Sequence, residues 1–336
     1  MAVLVGGSKA FPGDNNVLVG TDGPDVIFGD EHTAGATAFF PDVPAIGGAL
    51  ASGTGGDDLI KGAGETDFLF GDAYRMAGTG VGGADRLLGG SGDDIIDGDA
   101  DSMTAAARGG ADRLAGGSGD DFLQGDAGDM SGRAAGGDDW LSGGAGNDAL
   151  VGDAIGVRDR ARGGDDHLVG GAGTDKLEGD GDSLLDHAAG GNDTLLGGTG
   201  NDVLIGDAES VTGHARCGAD VLDGGPGDDM LYGDGNPTFS NFGHAARGAD
   251  TFVITKGGGN DTIGDFQPGV DKVMFVGFTA AEIRAALGGQ ETGQVTLLAG
   301  THHHAGVGGT QLDLGHGDGV DLAGVTHLDA SDIIIG

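Results

Sequence analysis

The chain has 336 residues, of which 78 are glycine, and aromatic residues make up only 5%. So few large side chains exclude a conventional globular core, and glycine without a strict three-residue period excludes collagen. The formal net charge of −38, from 54 acidic and 16 basic residues, excludes a protein that binds nucleic acid by neutralising phosphates. Because so many carboxylates repel one another in a compact body, we expect divalent cations to neutralise them.

Cysteine usage and hydropathy narrow the class of protein further. The single cysteine, Cys217, excludes an intrachain disulfide. No apolar run reaches about 20 residues, so no transmembrane segment is expected. Residues 1–16 lack a basic segment followed by an apolar run, and a cleaved N-terminal export signal is therefore not expected.

Pairs of glycine and aspartate recur every 27 residues along most of the chain. The aspartates of these pairs are Asp72, Asp99, Asp126, Asp153, Asp180, Asp207 and Asp234. A fixed period of this length is typical of a solenoid, in which each repeat stacks on its neighbours. The period also divides evenly into three nonapeptides.

Two of the three nonapeptides follow the template G-G-x-G-x-D-x-U-x, where U is a large apolar residue. Residues 89–97, GGSGDDIID, are a complete example, and this template is a known calcium-binding unit of parallel β-helices. Its glycines permit positive φ angles and a close approach of backbone carbonyls to an ion. The x-U-x part predicts a short strand with U pointing inward. Calcium takes six to eight oxygen ligands at about 2.3–2.6 Å, which carboxylates and carbonyls supply.

The predicted calcium ligands are the sixth-position aspartates and the first-position glycines of the complete repeats, with several ions shared between neighbouring coils. The aspartates are Asp25, Asp58, Asp85, Asp94, Asp112, Asp121, Asp139, Asp148, Asp166, Asp175, Asp193, Asp202, Asp220, Asp229 and Asp250. The glycines are Gly89, Gly116, Gly143, Gly170, Gly197 and Gly224. Asp67 has the same position, but Glu65 replaces the glycine of its turn, so Asp67 is left out of the predicted set.

The third nonapeptide differs, as residues 98–106, GDADSMTAA, illustrate. It has no sixth-position aspartate, and its apolar residue takes that place instead, as Met76, Met103, Met130, Val157, Leu184 and Val211 do. Its leading aspartates are equally compatible with extra calcium ligands and with turn residues that bond their own backbone.

Two coil lengths are compatible with the pattern. Each nonapeptide could be half of an 18-residue coil, or one coil could take all 27 residues, with the third nonapeptide as an enlarged loop. We favour 27 residues because like then stacks on like, with the third set of apolar residues covering one flank. One sheet would carry Leu87, Leu114, Leu141, Leu168, Leu195 and Leu222, and the other Ile96, Leu123, Leu150, Leu177, Leu204 and Leu231. Eight or so coils would make a rod on the order of 40 Å long, at about 4.8 Å per coil.

The sequence therefore predicts an all-β, right-handed parallel β-roll or β-helix with a C-terminal β-rich cap. We divide the chain into residues 1–10, a repeat region 11–253 and a C-terminal module 254–336. An apolar insertion at about residues 38–52 is expected to cover the N-terminal edge, with a partner-binding patch as the alternative.

The C-terminal module has signals of its own. A capping box, Thr279 to Glu282, predicts a short helix that ends near Gly288. Alternating strands are expected around residues 295–298, 310–314 and 320–322. The histidine run 302–304 is expected in an exposed loop, because three adjacent histidines converge poorly on one ion.

These motifs give the chain a family resemblance. Residues 11–253 resemble the repeats-in-toxin (RTX) proteins. Residues 250–336 resemble the module that follows the repeats in serralysin-type secreted proteases, through D-T-F-V, G-N-D-T-I and Q-P-G-V-D-K. The resemblance implies a calcium-binding β-roll and export by a bacterial type I secretion apparatus. It also implies an uncleaved C-terminal signal, which Asp332 and the three isoleucines after it match, although Gly336 departs from the pattern.

Departures from the family bear on activity. The chain has no H-E-x-x-H zinc motif, and its nearest approach to a lipase G-x-S-x-G motif, at Gly89, lies inside a repeat. We therefore expect no enzymatic activity. The leading hypothesis is a secreted protein that folds on binding calcium outside the cell and acts structurally at a cell surface or in an extracellular matrix. The alternatives are an adhesin or membrane-active effector, and a non-catalytic accessory module of a secreted enzyme.

Overall fold

The repeats stack into a solenoid with a 27-residue coil. The computed structural model describes residues 2–5, 17–19, 25–28, 49–287, 295–296, 309–315, 317–325, 327–328 and 330–336. Equivalent residues of successive coils pair in parallel at an offset of 27, as Leu114 does with Leu141. The predicted 27-residue coil is thus confirmed.

Each full coil contributes one strand to each of three parallel sheets, which we number in the order in which the coil meets them. The first sheet contains Val17–Val19, Leu59–Gly64, Arg86–Ser91, Arg113–Ser118, Trp140–Ala145, His167–Ala172, Thr194–Thr199, Val221–Asp223, Thr251–Thr255, Lys272–Val276 and Ile333–Ile335. The second contains Ala2–Val5, Asp25–Phe28, Phe68–Phe70, Ile95–Asp97, Phe122–Gln124, Ala149–Val151, Lys176–Glu178, Val203–Ile205, Met230–Tyr232, Asn260–Ile263, Asp318–Ala323 and Gly309–Gly315. The third contains Ala49–Thr54, Arg75–Val81, Ala100–Met103, Ala127–Met130, Ala154–Val157, Gly181–Leu184 and Ala208–Val211.

The third nonapeptide therefore forms a sheet rather than the enlarged loop that the sequence suggested. Its strand buries the first and the fourth residue, such as Ala100 and Met103, and leaves the two between them half-buried or exposed. This spacing is not the two-residue alternation of an ordinary strand. The predicted ladder of methionine, valine and leucine lies on this sheet.

Two apolar clusters fill the coil. The larger one lies between the first and second sheets, where residues such as Leu168 and Leu177 are fully buried. The smaller one joins the apolar residues of the third sheet to alanines that return the chain towards the first sheet, such as Ala107 and Ala161. The repeat thus has two narrow cores instead of one large core.

The C-terminal residues extend the same sheets. The predicted boundary at residue 253 falls inside the strand Thr251–Thr255. The division of the chain into domains stays a prediction. The antiparallel pairs are Gly309–Gly315 with Asp318–Ala323, and Val295–Thr296 with His327–Leu328. The expected strands near residues 295, 310 and 320 are thus present.

The helix is Ala280–Ala286, and Thr279 and Glu282 form its predicted capping box. Its expected end near Gly288 lies outside the described residues. A short 3-10 turn, Ala330–Asp332, precedes the last strand. No helix in the described ranges is long and apolar enough to cross a membrane.

Parts of two predictions fall outside the described residues. The insertion was placed at residues 38–52, of which 38–48 are not described. Residues 49–52 belong to the strand Ala49–Thr54, whose Leu50 is buried in the smaller core. The histidine run 302–304 also lies outside the described ranges.

Neighbouring leucines offer a matched test of the larger core. Leu195 is fully buried, whereas Leu196 lies half-buried on the opposite face of the same strand. We expect Leu195→Ala to lower the free energy of unfolding by about 2–5 kcal/mol and Leu196→Ala to lower it clearly less. Chemical denaturation at one fixed calcium concentration measures both changes. Equal losses would contradict the assignment of the buried face.

Candidate metal sites

Each coil carries three aspartates, one just before the strand of each sheet, and they stack into three ladders. The first ladder is Asp58, Asp85, Asp112, Asp139, Asp166, Asp193, Asp220 and Asp250. The second is Asp67, Asp94, Asp121, Asp148, Asp175, Asp202 and Asp229. The third is Asp72, Asp99, Asp126, Asp153, Asp180, Asp207 and Asp234. All of these aspartates are buried.

In the first and second ladders, one carboxylate oxygen ties each coil to the one before it. The amide N–H of Asp112 donates to Asp139 Oδ1 at 2.7 Å, and that of Asp121 donates to Asp148 Oδ1 at 2.8 Å. The bond recurs along both ladders. It explains why aspartate is required here, because a shorter or apolar side chain would leave a buried N–H without an acceptor.

The other oxygen, Oδ2, receives no hydrogen bond in most members of these two ladders. These members are Asp94, Asp112, Asp121, Asp139, Asp148, Asp166, Asp175, Asp193, Asp202, Asp220, Asp229 and Asp250. A buried carboxylate oxygen without a donor is costly unless a cation or a proton compensates it. A row of such oxygens suits a hard divalent cation such as Ca²⁺.

Backbone carbonyls lie beside the free oxygens of the second ladder. A methyl group on Gly89 would overlap with both Asp94 Oδ2 and Gly116 O, the carbonyl of the next coil. Each of the six predicted glycines has a second-ladder Oδ2 in this place. Carboxylate and carbonyl oxygens from neighbouring coils therefore converge where the repeat predicts calcium. The assignment of these residues as ligands stays a prediction.

The first and third ladders face each other inside the coil. Asp112 Oδ2 and Gly125 O both lie against Gly98, the residue before Asp99. Third-ladder carboxylates accept an N–H from a glycine 11 residues later, as Asp180 Oδ1 does from Gly191 at 2.9 Å. This bond reaches across the coil, so these aspartates do not simply close their own turns.

Burial and mutual repulsion shift the carboxyl groups away from ordinary acidity. Desolvation, and then the charges of Asp139 and Asp85, raise the pKa of Asp112 well above its usual range. In the second ladder desolvation is also the largest cause, but it raises the pKa of Asp94 only to about 6 and that of Asp121 to about 7.

Most of the predicted ligands fall within these ladders. Every predicted aspartate from Asp58 onward belongs to the first or second ladder. The side chain of Asp25 lies outside the described part of the chain. Asp67, which was left out, takes its place in the second ladder, because its N–H donates to Asp94 Oδ1. Its turn is kept because Glu65 adopts a positive φ of 62°, where Gly92 has 121° in the next coil.

Two further aspartates prolong the ladders beyond the predicted set. Asp271 Oδ1 accepts from the N–H of Asp250 at 3.2 Å, and Asp261 Oδ1 accepts from that of Asp229 at 3.1 Å. Each stands two residues before a buried apolar residue, Val273 or Ile263. Each also keeps the fourth-position glycine of its turn, Gly259 or Gly269, so this signal is visible in the sequence.

The fold and the sites define a parallel β-solenoid with stacked acidic turns. A family model for the RTX calcium-binding nonapeptide repeat matches residues 13–33, 47–73, 79–102, 107–129, 133–154, 160–183, 187–209 and 218–236. The chain belongs to this family, as the sequence motifs predicted, and it is a calcium-binding repeat protein. A search among curated proteins found no matching sequence.

The raised pKa values predict opposite effects of pH on the metal-free and the calcium-bound chain. An aspartate has a pKa of about 4 in an unfolded chain, whereas Asp94 rises to about 6 and Asp121 to about 7. The folded, metal-free chain is therefore stabilised by protons below pH about 4, and that stability is lost as pH rises through 6 to 7.

We expect more β-structure at pH 5 than at pH 8 in calcium-depleted buffer, as measured by far-UV circular dichroism. Calcium binding should instead strengthen from pH 6 to pH 8, because protons then compete less for the carboxylates. A metal-free chain that is equally folded at pH 5 and pH 8 would contradict this prediction.

Proposed function

We propose that the protein is exported from a bacterial cell and folds outside it by binding several calcium ions, to serve as a structural component of a cell surface or an extracellular matrix. The observation that carries the proposal is the row of buried Oδ2 atoms without hydrogen-bond donors, on a chain of net charge −38. This number of uncompensated carboxylates disfavours a compact metal-free state near neutral pH.

The ladders give the chain a way to couple calcium to folding. The Oδ2 of Asp175 and the carbonyl of Gly197 lie on two neighbouring coils and meet at Gly170 only when those coils stack. Each such site is therefore absent from an extended chain. When bound, calcium supplies the positive charge that lets the carboxylates approach, so its binding free energy becomes folding free energy.

Residues 332–335 support export before folding through their sequence, although they are part of the folded solenoid. Ile333–Ile335 pairs with Lys272–Val276 in the first sheet, and Asp332 Oδ1 accepts the N–H of Gly269 at 3.1 Å. This segment resembles the type I export signal of the family. We propose that the apparatus reads it in the unfolded chain, where calcium is scarce, and that it joins the sheet only outside. The proposal assigns no enzymatic activity to the chain.

Calcium-dependent folding is the decisive test of this function. At pH 7.5 we expect far-UV circular dichroism to show little β-structure in chelator and a cooperative gain at about 10⁻³ M calcium, a typical affinity range of extracellular sites. Magnesium at the same concentration is the control and should act weakly, because it demands a tighter octahedral shell. A full β signal in chelator would overturn the proposal.

A further inference from the structure

We propose that the third ladder forms a second, inner row of calcium sites between its successive aspartates, and that Arg247 replaces calcium at the last position of this row. The inference rests on the proposed calcium function and extends it to residues outside the G-G-x-G-x-D turns. The third-ladder aspartates belong to the third nonapeptide, whose role the repeat template leaves open.

The inner row is lined by pairs of carboxylates that face one glycine in each coil. A methyl group on Gly163 would overlap with Asp180 Oδ1 and Asp153 Oδ2. One coil further, a methyl group on Gly190 would overlap with Asp180 Oδ2 and Asp207 Oδ1. Successive carboxylates thus approach each other next to this glycine. In these two coils no basic side chain lies between them.

Several of these carboxylates are buried with an oxygen that no donor reaches. Asp99 Oδ1, Asp153 Oδ2, Asp180 Oδ2 and Asp207 Oδ2 receive no hydrogen bond, and all four side chains are fully buried. Neighbouring carboxylates can share a proton or a cation, but they cannot donate to each other when both are ionised. A hard cation that bridges them satisfies both at neutral pH.

The last two coils replace the glycine with larger side chains. Cys217 takes the place of Gly190, and its Sγ lies with carboxylate oxygens of Asp207 and Asp234, all within 4.8 Å of one another. This confirms that a side chain at this position points into the row. Arg247 takes the same place one coil later, because Ala246 pairs with Arg216 as Arg216 pairs with Ala189.

Arg247 makes the contacts that a cation would make. Its Nε donates to Asp234 Oδ2 at 2.6 Å, and its Nη2 donates to Asp265 Oδ2 at 3.0 Å. The guanidinium therefore bridges two buried carboxylates at the end of the row. The guanidinium thus supplies the positive charge that calcium provides between the preceding pairs of carboxylates. The row of calcium sites ends at Arg247, where the coils become irregular.

Two pairs of variants test the inner row by the number of calcium ions bound per chain. Arg247→Gly restores the glycine of the other coils, and we expect about one additional ion per chain, because calcium then takes the place of the guanidinium. Its control is Arg216→Ala, which removes a positive charge one position before the row and introduces the alanine found at Ala189. The control should leave the count unchanged.

The second pair lowers the count. Asp180→Asn keeps Oδ1 as an acceptor for Gly191 but removes charge from the row, and we expect a loss of about one or two ions, since Asp180 borders two intervals. Its control is Asp165→Asn, which removes the same charge from an exposed turn and introduces the residue found one coil later at Asn192.

Equilibrium dialysis with metal analysis gives the counts, after circular dichroism has shown that each variant folds in calcium. If a variant or control of one pair does not fold, the calcium counts of the other pair test the inner row. Counts that do not differ between variant and control in either pair would overturn the inner row while leaving the proposed function intact. A wild-type chain that binds no calcium would instead refute the proposed function itself.

Discussion

The structure depends on how the charge of its buried aspartates is balanced. Each coil places three carboxylates where solvent does not reach, and most of them keep one oxygen without a donor. Burying an unpaired carboxylate costs several kcal/mol, on the order of what a buried leucine contributes. The stacking of coils is therefore favourable only together with protons or metal ions, and the apolar cores cannot hold it alone.

This constraint also explains the glycine content and the shape of the coil. The first and third ladders separate the two apolar clusters, so that each coil alternates leucine core, carboxylate layer and alanine–methionine core. Glycine lies wherever a carboxylate or a carbonyl of a neighbouring coil comes close, as at Gly98 and Gly163. The sequence is rich in glycine because backbone and carboxylate oxygens occupy the space that side chains fill in other proteins.

The period, the two leucine sheets and the aspartates of the first two ladders could be predicted from the sequence, because each depends on local spacing that repeats without drift. The third sheet could not, since Ala100 and Met103 are buried three residues apart and do not show strand alternation. The recurring alanines, such as Ala107 and Ala161, carried the missing signal. Asp261 and Asp271 were missed because they lie beyond residue 253, where longer strands replace the nonapeptide, although Gly259 and Gly269 keep the fourth-position glycine of the turn.

The pairing of Arg247 with Asp234 has a counterpart on the flank of the solenoid. There, Lys176 Nζ lies 3.0 Å from Glu178 and 2.8 Å from Glu209. In both places a basic side chain forms ion pairs where acidic groups of neighbouring coils converge. With only 16 basic residues against 54 acidic ones, such intrinsic compensation reaches few positions, and the remaining carboxylates require ions from solution.

A strict 27-residue period allows coils to pair in the wrong register, and the irregular C-terminal coils prevent this. Because Leu141 meets Leu168 in the same way as Leu168 meets Leu195, a chain that paired one whole coil out of step would bury nearly the same groups. The last spacings break this degeneracy. Asp220 bonds to Asp250 across 30 residues, and Asp229 bonds to Asp261 across 32. These unequal spacings, together with Arg247, fit only one alignment of the last coils. They therefore fix the register in which all the preceding coils stack.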